Sequence, residues 1–538
     1  MGTMTVHSLA AFWPEWLLLL GACLTLLVGI GDRGRRPSGT PLFALLVVAA
    51  ALLMTWRQGP LQTHPALPGL WITPLTYYAR WITLGMGVLI LLVNWHQPAA
   101  PERGEYLAMI LFSLLGVLLT ASANNLLVLF FAIELVSVPT YVLIALSRTD
   151  ARAAESALKY FFLGAMAAAV LAFGLVYLYG ASGTMDLYGW SAEGAVSHFA
   201  FGASMGATAL IGVVLVFAGL AFKIAAVPLH VYAADVYEGA ASPVTGMLGF
   251  VPKFAGFLAL VKLFGAMGWT VPPAIFWMIW LVAAATMTVG NALGLLQKNV
   301  KRMLAYSSIA HTGYMLIALL VGPVLGRGPM HDGVAALLFY IAIYGAMNLG
   351  AFAALASVQR DGHDVETMAD LAGLARRAPW ASLALAVCVF SLMGFPPTAG
   401  FLGKVYIFSS AFSVSAEHPY WKPMVVLAVI GVVNSAIAAA YYLRIVAAVY
   451  VHPERGTITP VGGAAGRFGL ALCAMPMLVL FTVPGMISER ARSAATAVEV
   501  VAPSTPIRVT QASPKPKGLA GDHEADAPGS GESDTSRR

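Results

Sequence analysis

Long apolar runs constrain this chain more than any other feature of its sequence. They recur from near the N-terminus to about residue 487, separated by charged residues, prolines and glycines. Each run is about twenty residues long, enough for a helix to cross the roughly 30 Å hydrocarbon core of a bilayer. Only 10% of the 538 residues are charged, whereas ordinary soluble domains have about 25%. The sequence therefore predicts a helical protein that crosses a membrane many times.

The runs predict an all-α polytopic fold with about fourteen transmembrane spans. The approximate bounds of these spans are 14–30, 40–57, 73–94, 105–122, 124–146, 155–180, 205–237, 243–267, 272–296, 301–322, 331–357, 379–413, 421–450 and 465–487. Spans 7 and 12 are long and broken, the first by Pro228 and the second by Gly394, Pro396, Pro397 and Gly400. Because these breaks are five spans apart, we predict two five-helix repeats, spans 4–8 and 9–13, which are inverted because five is odd.

The spans divide the chain into five segments. Three N-terminal helices occupy residues 1–104, the first repeat 105–270, the second repeat 271–450, and the last helix 451–490. The first run has no basic residue before it and no small-residue cleavage site after it, which indicates a retained helix and not a signal peptide. Residues 491–538 are rich in Ala, Pro, Ser, Gly and mixed charge, so they are predicted to form a disordered tail.

Lysines and arginines in the short loops predict how the chain is oriented. One set of alternate loops holds about thirteen of them, including Arg148, Lys301 and Arg377, and the other set about five, including Arg80 and Lys262. Basic loops remain on the cytoplasmic side of a membrane. Both termini are therefore predicted to lie on the outer side.

The sequence contains no recognisable motif for binding a cofactor or metal. The cysteines Cys23, Cys388 and Cys473 lie far apart inside apolar runs, which favours buried small hydrophobic residues over ligands of zinc or an iron–sulfur cluster. Gly403-Lys404 is the nearest match to a phosphate-binding loop, but it lacks the upstream glycine and the following serine or threonine. We expect the chain to bind no nucleotide, flavin or metal.

Ionisable residues inside the apolar runs are the candidate functional residues. A charge at the centre of a membrane helix costs roughly 2.5–3.5 kcal/mol, so each such residue is expected to have a structural or functional role. Three lysines and one glutamate stand out in this way, and two histidines lie in similar runs: Glu134, Lys223, Lys253, Lys404, His230 and His311. Lys159, near the start of span 6, belongs either to this set or to the cytoplasmic rim.

Two interpretations of these residues are open. They could be buried ion pairs that only fasten helices together, but one carboxylate cannot neutralise three lysines. A lysine in a low-dielectric site can instead release its proton near neutral pH, and a nearby carboxylate opposes that release. The breaks at Pro228 and Pro397 favour the second interpretation, because unpaired carbonyls in a membrane helix need a hydrated cavity or polar groups. Proton transfer is therefore predicted for the lysines and the glutamate, whereas the histidines could be either shuttles or hydrogen-bonded core.

Three motifs carry a family resemblance over about residues 105–450. The segments AFKIAAVPLHVYAADVYEGAASPVTG, QKNVKRMLAYSSIAHTGYML and SLMGFPPTAGFLGKVYIF resemble the antiporter-like membrane subunits of respiratory complex I, most closely the subunit N family. The resemblance implies fourteen helices, a proton channel through two inverted repeats and no bound redox centre. It also identifies Glu134 with the family's glutamate of span 5, Lys223 with the lysine at the span 7 break, Lys253 with the linking lysine of span 8, and Lys404 with the lysine of span 12.

The chain departs from the family pattern after the first break. The family usually has tryptophan and proline where this chain has Tyr232 and Ala234, and proline where it has Ala241. Lysine at position 404 argues against the neighbouring subunit M, which has glutamate there. The lack of a long lateral helix after residue 487 argues against subunit L.

Three functions follow from these expectations. The first is a proton-translocating subunit of NADH-quinone oxidoreductase in a bacterial inner membrane, with subunits K and M as neighbours and with NADH and quinone used by other subunits. In it Lys223 is the protonatable centre, Glu134 its partner, Lys253 with His311 the lateral path and Lys404 the exit. The second is a subunit of a multi-subunit cation/proton antiporter, and the third a non-conducting scaffold, against which the surplus of buried lysines argues.

Overall fold

Helices make up most of the computed structural model of the chain. It describes residues 9–31, 39–60, 62–97, 102–191, 194–199, 201, 205–323, 332–454 and 456–499. The helices that precede the first break are α1 (Trp13–Gly31), α2 (Gly39–Gln58), α3 (Pro74–Val93), α4 (Arg103–Ser122), α5 (Leu126–Ser147), α6 (Ala151–Ser182) and α7 (Ala207–Lys223). Those between the two breaks are α8 (Ala233–Gly239), α9 (Ser242–Leu248), α10 (Val251–Ala266), α11 (Pro273–Leu296), α12 (Val300–Val321), α13 (Gly333–Ala356), α14 (Leu374–Arg377) and α15 (Pro379–Met393). The last four are α16 (Ala399–Phe412), α17 (Trp421–Tyr450), α18 (Gly463–Thr482) and α19 (Gly485–Glu499).

Short antiparallel strands occur only in the connections between these helices, within the described residues. Two hairpins pair β1 (His64–Leu67) with β2 (Leu70–Ile72) and β3 (Tyr188–Ser191) with β4 (Gly194–Ser197). A three-stranded sheet has the order β6-β5-β7, formed by β5 (Val358–Arg360), β6 (His363–Asp364) and β7 (Ile458–Pro460).

The prediction of about fourteen spans is confirmed. Twelve described spans are long and apolar enough to cross a membrane, if α9 and α10 are counted as one span. The two others are the broken spans, α7 with α8 and α15 with α16. In each set of five spans from α4 onward, the fourth is the broken one, as two repeats of opposite direction require.

Span 8 contains an interruption that the sequence analysis did not predict. Gly249 and Phe250 separate α9 from α10, and Pro252 lies in the first turn of α10. Proline has no backbone N–H and is well tolerated in the first turn of a helix, so it starts a new segment here. Lys253 follows it directly, at the start of the second half of the span.

Three helices form the centre of the molecule. All residues of α10 are buried, and so are nearly all residues of α12 and α13. The other helices surround them. In α1, α2, α6 and α18 fewer than half of the residues are buried, as is expected of helices in contact with lipid. A polar side chain on a central helix is therefore shielded from lipid and can contact only other parts of the protein or enclosed water.

The predicted disorder from residue 491 is wrong for its first nine residues. They complete α19, which packs against α3, α10 and α13. Its buried residues follow the i, i+3, i+4, i+7 spacing of an amphipathic helix: Ala491, Ala494, Ala495 and Val498. Overall composition conceals such a face, because small alanines contribute little apolar character. Residues 500–538 of the predicted tail lie outside the described residues.

Two smaller expectations also need correction. Arg80 and Lys262, which were counted among the outer loops, are buried in α3 and α10. The outer loops are thus even poorer in basic residues than the sequence analysis supposed. Cys388 and Cys473 are buried as predicted, but Cys23 is exposed on α1.

Candidate functional site

Glu134 and Lys223 form an ion pair at the first break. Lys223 is the last residue of α7, and its Nζ lies 2.9 Å from Oε1 of Glu134 in the middle of α5. The same ammonium donates a hydrogen bond of 2.8 Å to the hydroxyl of Ser137, one turn further along α5. The lysine side chain is 3% exposed and that of the glutamate 19%, so the pair is shielded but reaches the surface on the glutamate side.

Hydroxyl groups satisfy the backbone that the first break leaves unpaired. Thr312 donates to the carbonyl of Ile224 at 2.7 Å, and Thr286 accepts from the amide of Val227 at 3.0 Å. Tyr232 donates to the carbonyl of Phe222 at 2.8 Å. Tyr232 therefore supplies a polar contact that stabilises the break.

Lys253 is buried without a carboxylate partner among the described residues. Its Nζ donates to both the carbonyl and the hydroxyl of Ser308 on α12. The hydroxyls of Tyr344 and Tyr237 also contact the hydroxyl of Ser308, at 2.7 and 3.2 Å. Ser308 thus connects the lysine to aromatic hydroxyls on two other segments.

A small cavity separates Lys223 from Lys253. Both lysines line it, together with Tyr160, Tyr232 and Tyr237. Its volume of about 10 Å³ is at the lower limit for one water molecule. The two lysines therefore border the same cavity, which has room for about one water.

His311 lies one turn after Ser308 on α12, between two phenols. Its Nδ1 contacts the hydroxyl of Tyr340, and its Nε2 lies 3.0 Å from the hydroxyl of Tyr442. A neutral imidazole has one N–H and one lone pair, so it donates to one tyrosine and accepts from the other. Tyr442 in turn contacts the hydroxyl of Ser307.

Tyr314 lies between His311 and the last lysine. Its ring centroid is 5.6 Å from that of His311. The Nζ of Lys404, which lies on α16, is 5.1 Å from the centroid of the Tyr314 ring. Asn291 donates to the hydroxyl of Tyr314 at 3.2 Å. We call the series Glu134, Lys223, Lys253, Ser308, His311, Tyr314 and Lys404 the polar line.

Lys404 caps the second break directly. Its Nζ donates to the carbonyl of Met393, the last residue of α15, at 2.9 Å and to the hydroxyl of Ser435 at 2.8 Å. Gly394 has a φ of +82°, which favours glycine, and a Cβ atom there would also lie 2.8 Å from Cδ of Lys404. Lys404 also lines a cavity of about 410 Å³ between α16 and α17 that opens to the surface.

His230 and Lys159 are not part of the polar line. His230 lies in the break between α7 and α8 and is half-buried, and none of the hydrogen bonds between described residues joins its ring to the line. Lys159 is 43% exposed and pairs with Glu155 at 2.7 Å and with Asp235 at 3.0 Å. This favours the rim interpretation for Lys159.

A cluster of charges fixes α8, the half-helix after the first break. Arg302 at the start of α12 pairs with Asp235 and Glu238 of α8, each at 2.7 Å. Lys301 donates to the carbonyls of Glu238 and Ala240 at 2.7 and 2.6 Å, which caps the end of α8. These contacts hold α8 against α12, the helix that carries Ser308 and His311.

Lys262 is a buried lysine outside the polar line. It lies on α10 like Lys253, nine residues later and hence on the opposite face of the helix. Its Nζ donates to the carbonyl of Ala121 at 2.8 Å, near the end of α4. Its contact is that of a cation at a helix C-terminus, which is a structural role.

Sequence reasoning missed the hydroxyl and amide groups of the site. The structure adds Ser137, Ser308, Ser435, Tyr314, Tyr340, Tyr442 and Asn291 to the ionisable residues. Ser308 and His311 are one turn apart in the segment AYSSIAHTGY, and this spacing was the available signal. Among the described residues, no group of three His, Cys, Asp or Glu side chains is placed to hold a metal ion.

Comparisons with known proteins place this chain in a family. Residues 123–437 match the family described as NADH:quinone oxidoreductase/Mrp antiporter, transmembrane. NADH-quinone oxidoreductase subunit N of Rhodospirillum rubrum is 36% identical over 495 residues, which cover 90% of this chain and 96% of that protein. A chain of respiratory complex I from Thermus thermophilus with bound aureothin superposes with a TM-score of 0.71 at 29% identity, covering 88% of this chain and 98% of that one. A chain of the Mrp complex from Dietzia sp. has a TM-score of 0.73 at 18% identity, covering 92% and 98%, and shares the fold.

Proposed function

Because the chain belongs to the NADH:quinone oxidoreductase/Mrp antiporter transmembrane family, we propose that protons cross it along the polar line. The chain is a proton-translocating membrane subunit of NADH-quinone oxidoreductase, related in sequence to subunit N. The observation that carries the proposal is the arrangement of the three lysines of the polar line. One is paired with a glutamate at a helix break, and two have no carboxylate within ion-pair distance among the described residues.

The ion pair is the proposed switch. While Glu134 contacts Lys223, the carboxylate stabilises the ammonium. Movement of Glu134 away from the lysine removes this stabilisation, and the buried ammonium then releases its proton. Lys223 ends a half-helix, so a small shift of α7 changes the distance between the two groups.

The proton then moves sideways through the centre of the molecule. Water in the small cavity bridges Lys223 to Lys253, and Ser308 leads from Lys253 along α12 to His311. The last step, from His311 to Lys404, runs past the ring of Tyr314, which contacts both side chains. Lys404 passes the proton to the cavity that opens between α16 and α17.

The energy for this transfer comes from elsewhere in the complex. We propose that this chain binds no cofactor, and that NADH and quinone react in other subunits. The partly exposed Glu134 and the open cavity at Lys404 lie at opposite ends of the polar line. Neighbouring subunits, for which we propose K and M, would contact these two ends.

The orientation of the chain is part of the same proposal. We propose that both termini are periplasmic. The burial of Arg80 and Lys262 inside helices supports this, because it leaves fewer basic residues in the outer loops.

A pair of lysine variants on one helix tests the proposed path. Lys253→Met in the assembled complex should abolish most NADH-driven proton uptake by inverted membrane vesicles, because methionine carries no proton. Lys262→Met is the matched control, since both lysines are buried on α10 and donate to a backbone carbonyl. It should leave proton uptake per NADH oxidised unchanged. Equal proton uptake in the two variants would remove Lys253 from the path.

A further inference from the structure

An apolar groove with a basic mouth runs along the outside of the second repeat. It lies between α15 and α18 and encloses about 630 Å³. Alanines and larger aliphatic residues line its length: Ala381, Ala384, Val387, Ala471, Ala474 and Leu478. The groove is separate from the polar line, because no residue of the polar line contributes to its wall.

Two arginines stand at the mouth of the groove. Arg377 and Arg467 both line it, from α14 and α18. Arg377 uses its Nε to contact Glu454 at 2.7 Å and is 64% exposed, so its terminal nitrogens remain accessible. No carboxylate of the described residues is within ion-pair distance of Arg467. Beside them Trp380 is 81% exposed, in the manner of the indoles that lie at membrane–water interfaces.

The length of the groove matches one leaflet of a bilayer. Its lining on α18 extends from Arg467 to Leu478, which is about 16 Å at 1.5 Å per residue. Half of a hydrocarbon core is about 15 Å thick. A molecule with its charged end at the arginines would therefore reach the middle of the membrane.

We propose that this groove binds an anionic diacyl phospholipid from the bilayer. Its phosphate would contact Arg377 and Arg467, and an acyl chain would lie along the small side chains of α15 and α18. Basic pockets between helices on the cytoplasmic side of membranes bind such headgroups, and the mouth lies on the side that loop charges predict to be cytoplasmic.

Lipid retention by the whole complex tests this proposal. Complex reconstituted in nanodiscs with equal amounts of phosphatidylglycerol and phosphatidylcholine is purified in detergent, and the lipid bound per complex is measured by mass spectrometry. We expect phosphatidylglycerol to be retained over phosphatidylcholine, and Arg377→Gln with Arg467→Gln to lower the retained amount by about one lipid per complex. Arg444→Gln is the control, since Arg444 on α17 donates only to the carbonyls of Leu295 and Gln297 in its described contacts.

A second variant separates lipid binding from charge. Ala384→Phe fills the groove and leaves both arginines in place, so it should cause the same loss of phosphatidylglycerol. Only complexes with a full subunit content are compared. Unchanged retention in both variants, retention of both lipids alike, or a polypeptide segment in the groove in a density map of the complex would overturn the proposal.

Discussion

At the scale of single residues, Lys223 differs from the other two lysines of the polar line because it has a carboxylate partner. Glu134 and Ser137 accept hydrogen bonds from its ammonium, whereas Lys253 and Lys404 donate hydrogen bonds only to carbonyls and hydroxyls among the described residues. Breaking a buried ion pair by removing one partner costs about 3–5 kcal/mol. A charge state that depends on the position of one carboxylate can therefore be changed by a small movement.

Glu134→Gln tests the role of that carboxylate. Glutamine keeps the hydrogen bond but loses the charge, which disfavours the protonated lysine. We expect proton translocation to fall severalfold without being abolished, and the pH profile of coupled turnover to move to lower pH. Glu155→Gln is the control, because Glu155 pairs with the exposed Lys159 outside the polar line. An unchanged pH profile and an unchanged rate would remove Glu134 from the mechanism.

The sequence identified the ionisable members of the polar line but not the groups that connect them. Lys253 and Lys404 stand out in apolar runs because a charge in the membrane is costly. Serine is common inside membrane helices and tyrosine is uncharged, so nothing distinguished Ser308 or Tyr314 until their contacts were known. Which residues meet across helices depends on packing that no spacing within one helix reveals.

At the scale of elements, the half-helices carry the function. Lys223 ends α7, Lys253 lies in the first turn of α10 after an interruption, and Lys404 donates to the last carbonyl of α15. The prolines of spans 7 and 12 made two of these breaks predictable. The third was missed because a proline in the first turn of a helix resembles one inside a continuous span.

The C-terminal helix allows a test of packing outside the polar line. A chain that ends after residue 490 loses the buried Ala491, Ala494 and Ala495 of α19, which cover parts of α3, α10 and α13. Its complex should be obtained in lower yield and inactivate at lower temperature. A chain that ends after residue 499 keeps this helix and should behave like the full chain in both measurements. Equal stability of the two truncations would show that the packing of α19 contributes nothing.

A buried ion pair joins the N-terminal helices. Arg80 on α3 contacts Glu15 on α1 through two nitrogens, each at 2.8 Å, and both side chains are almost fully buried. Glu15→Ala leaves the guanidinium without its carboxylate, so we expect a loss of stability of about 3–5 kcal/mol. Thermal inactivation of the complex measures this loss, with the exposed Glu417 as the site of a control substitution. Proton translocation per NADH oxidised in the intact complex should not change, because the pair lies outside the polar line.

At the scale of the whole molecule, two inverted repeats meet at the central helices. The first repeat supplies Glu134, Lys223 and Lys253, and the second supplies His311 and Lys404. Predicting this arrangement required only the order of spans and the two breaks. The charged cluster that joins α8 to α12 was not predictable, because its partners come from loops and helix ends far apart in the sequence.

The most direct test of the account is the number of protons translocated per electron in the Lys223→Arg complex. Arginine keeps the positive charge and can keep the contact with Glu134, but a guanidinium does not release its proton in the accessible pH range. Assembled complex in proteoliposomes should therefore still reduce quinone but translocate fewer protons per electron. Lys262→Arg, the same change at a buried lysine outside the polar line, should keep the original ratio. An unchanged ratio in Lys223→Arg would contradict proton release by Lys223 and leave the ion pair with a purely structural role.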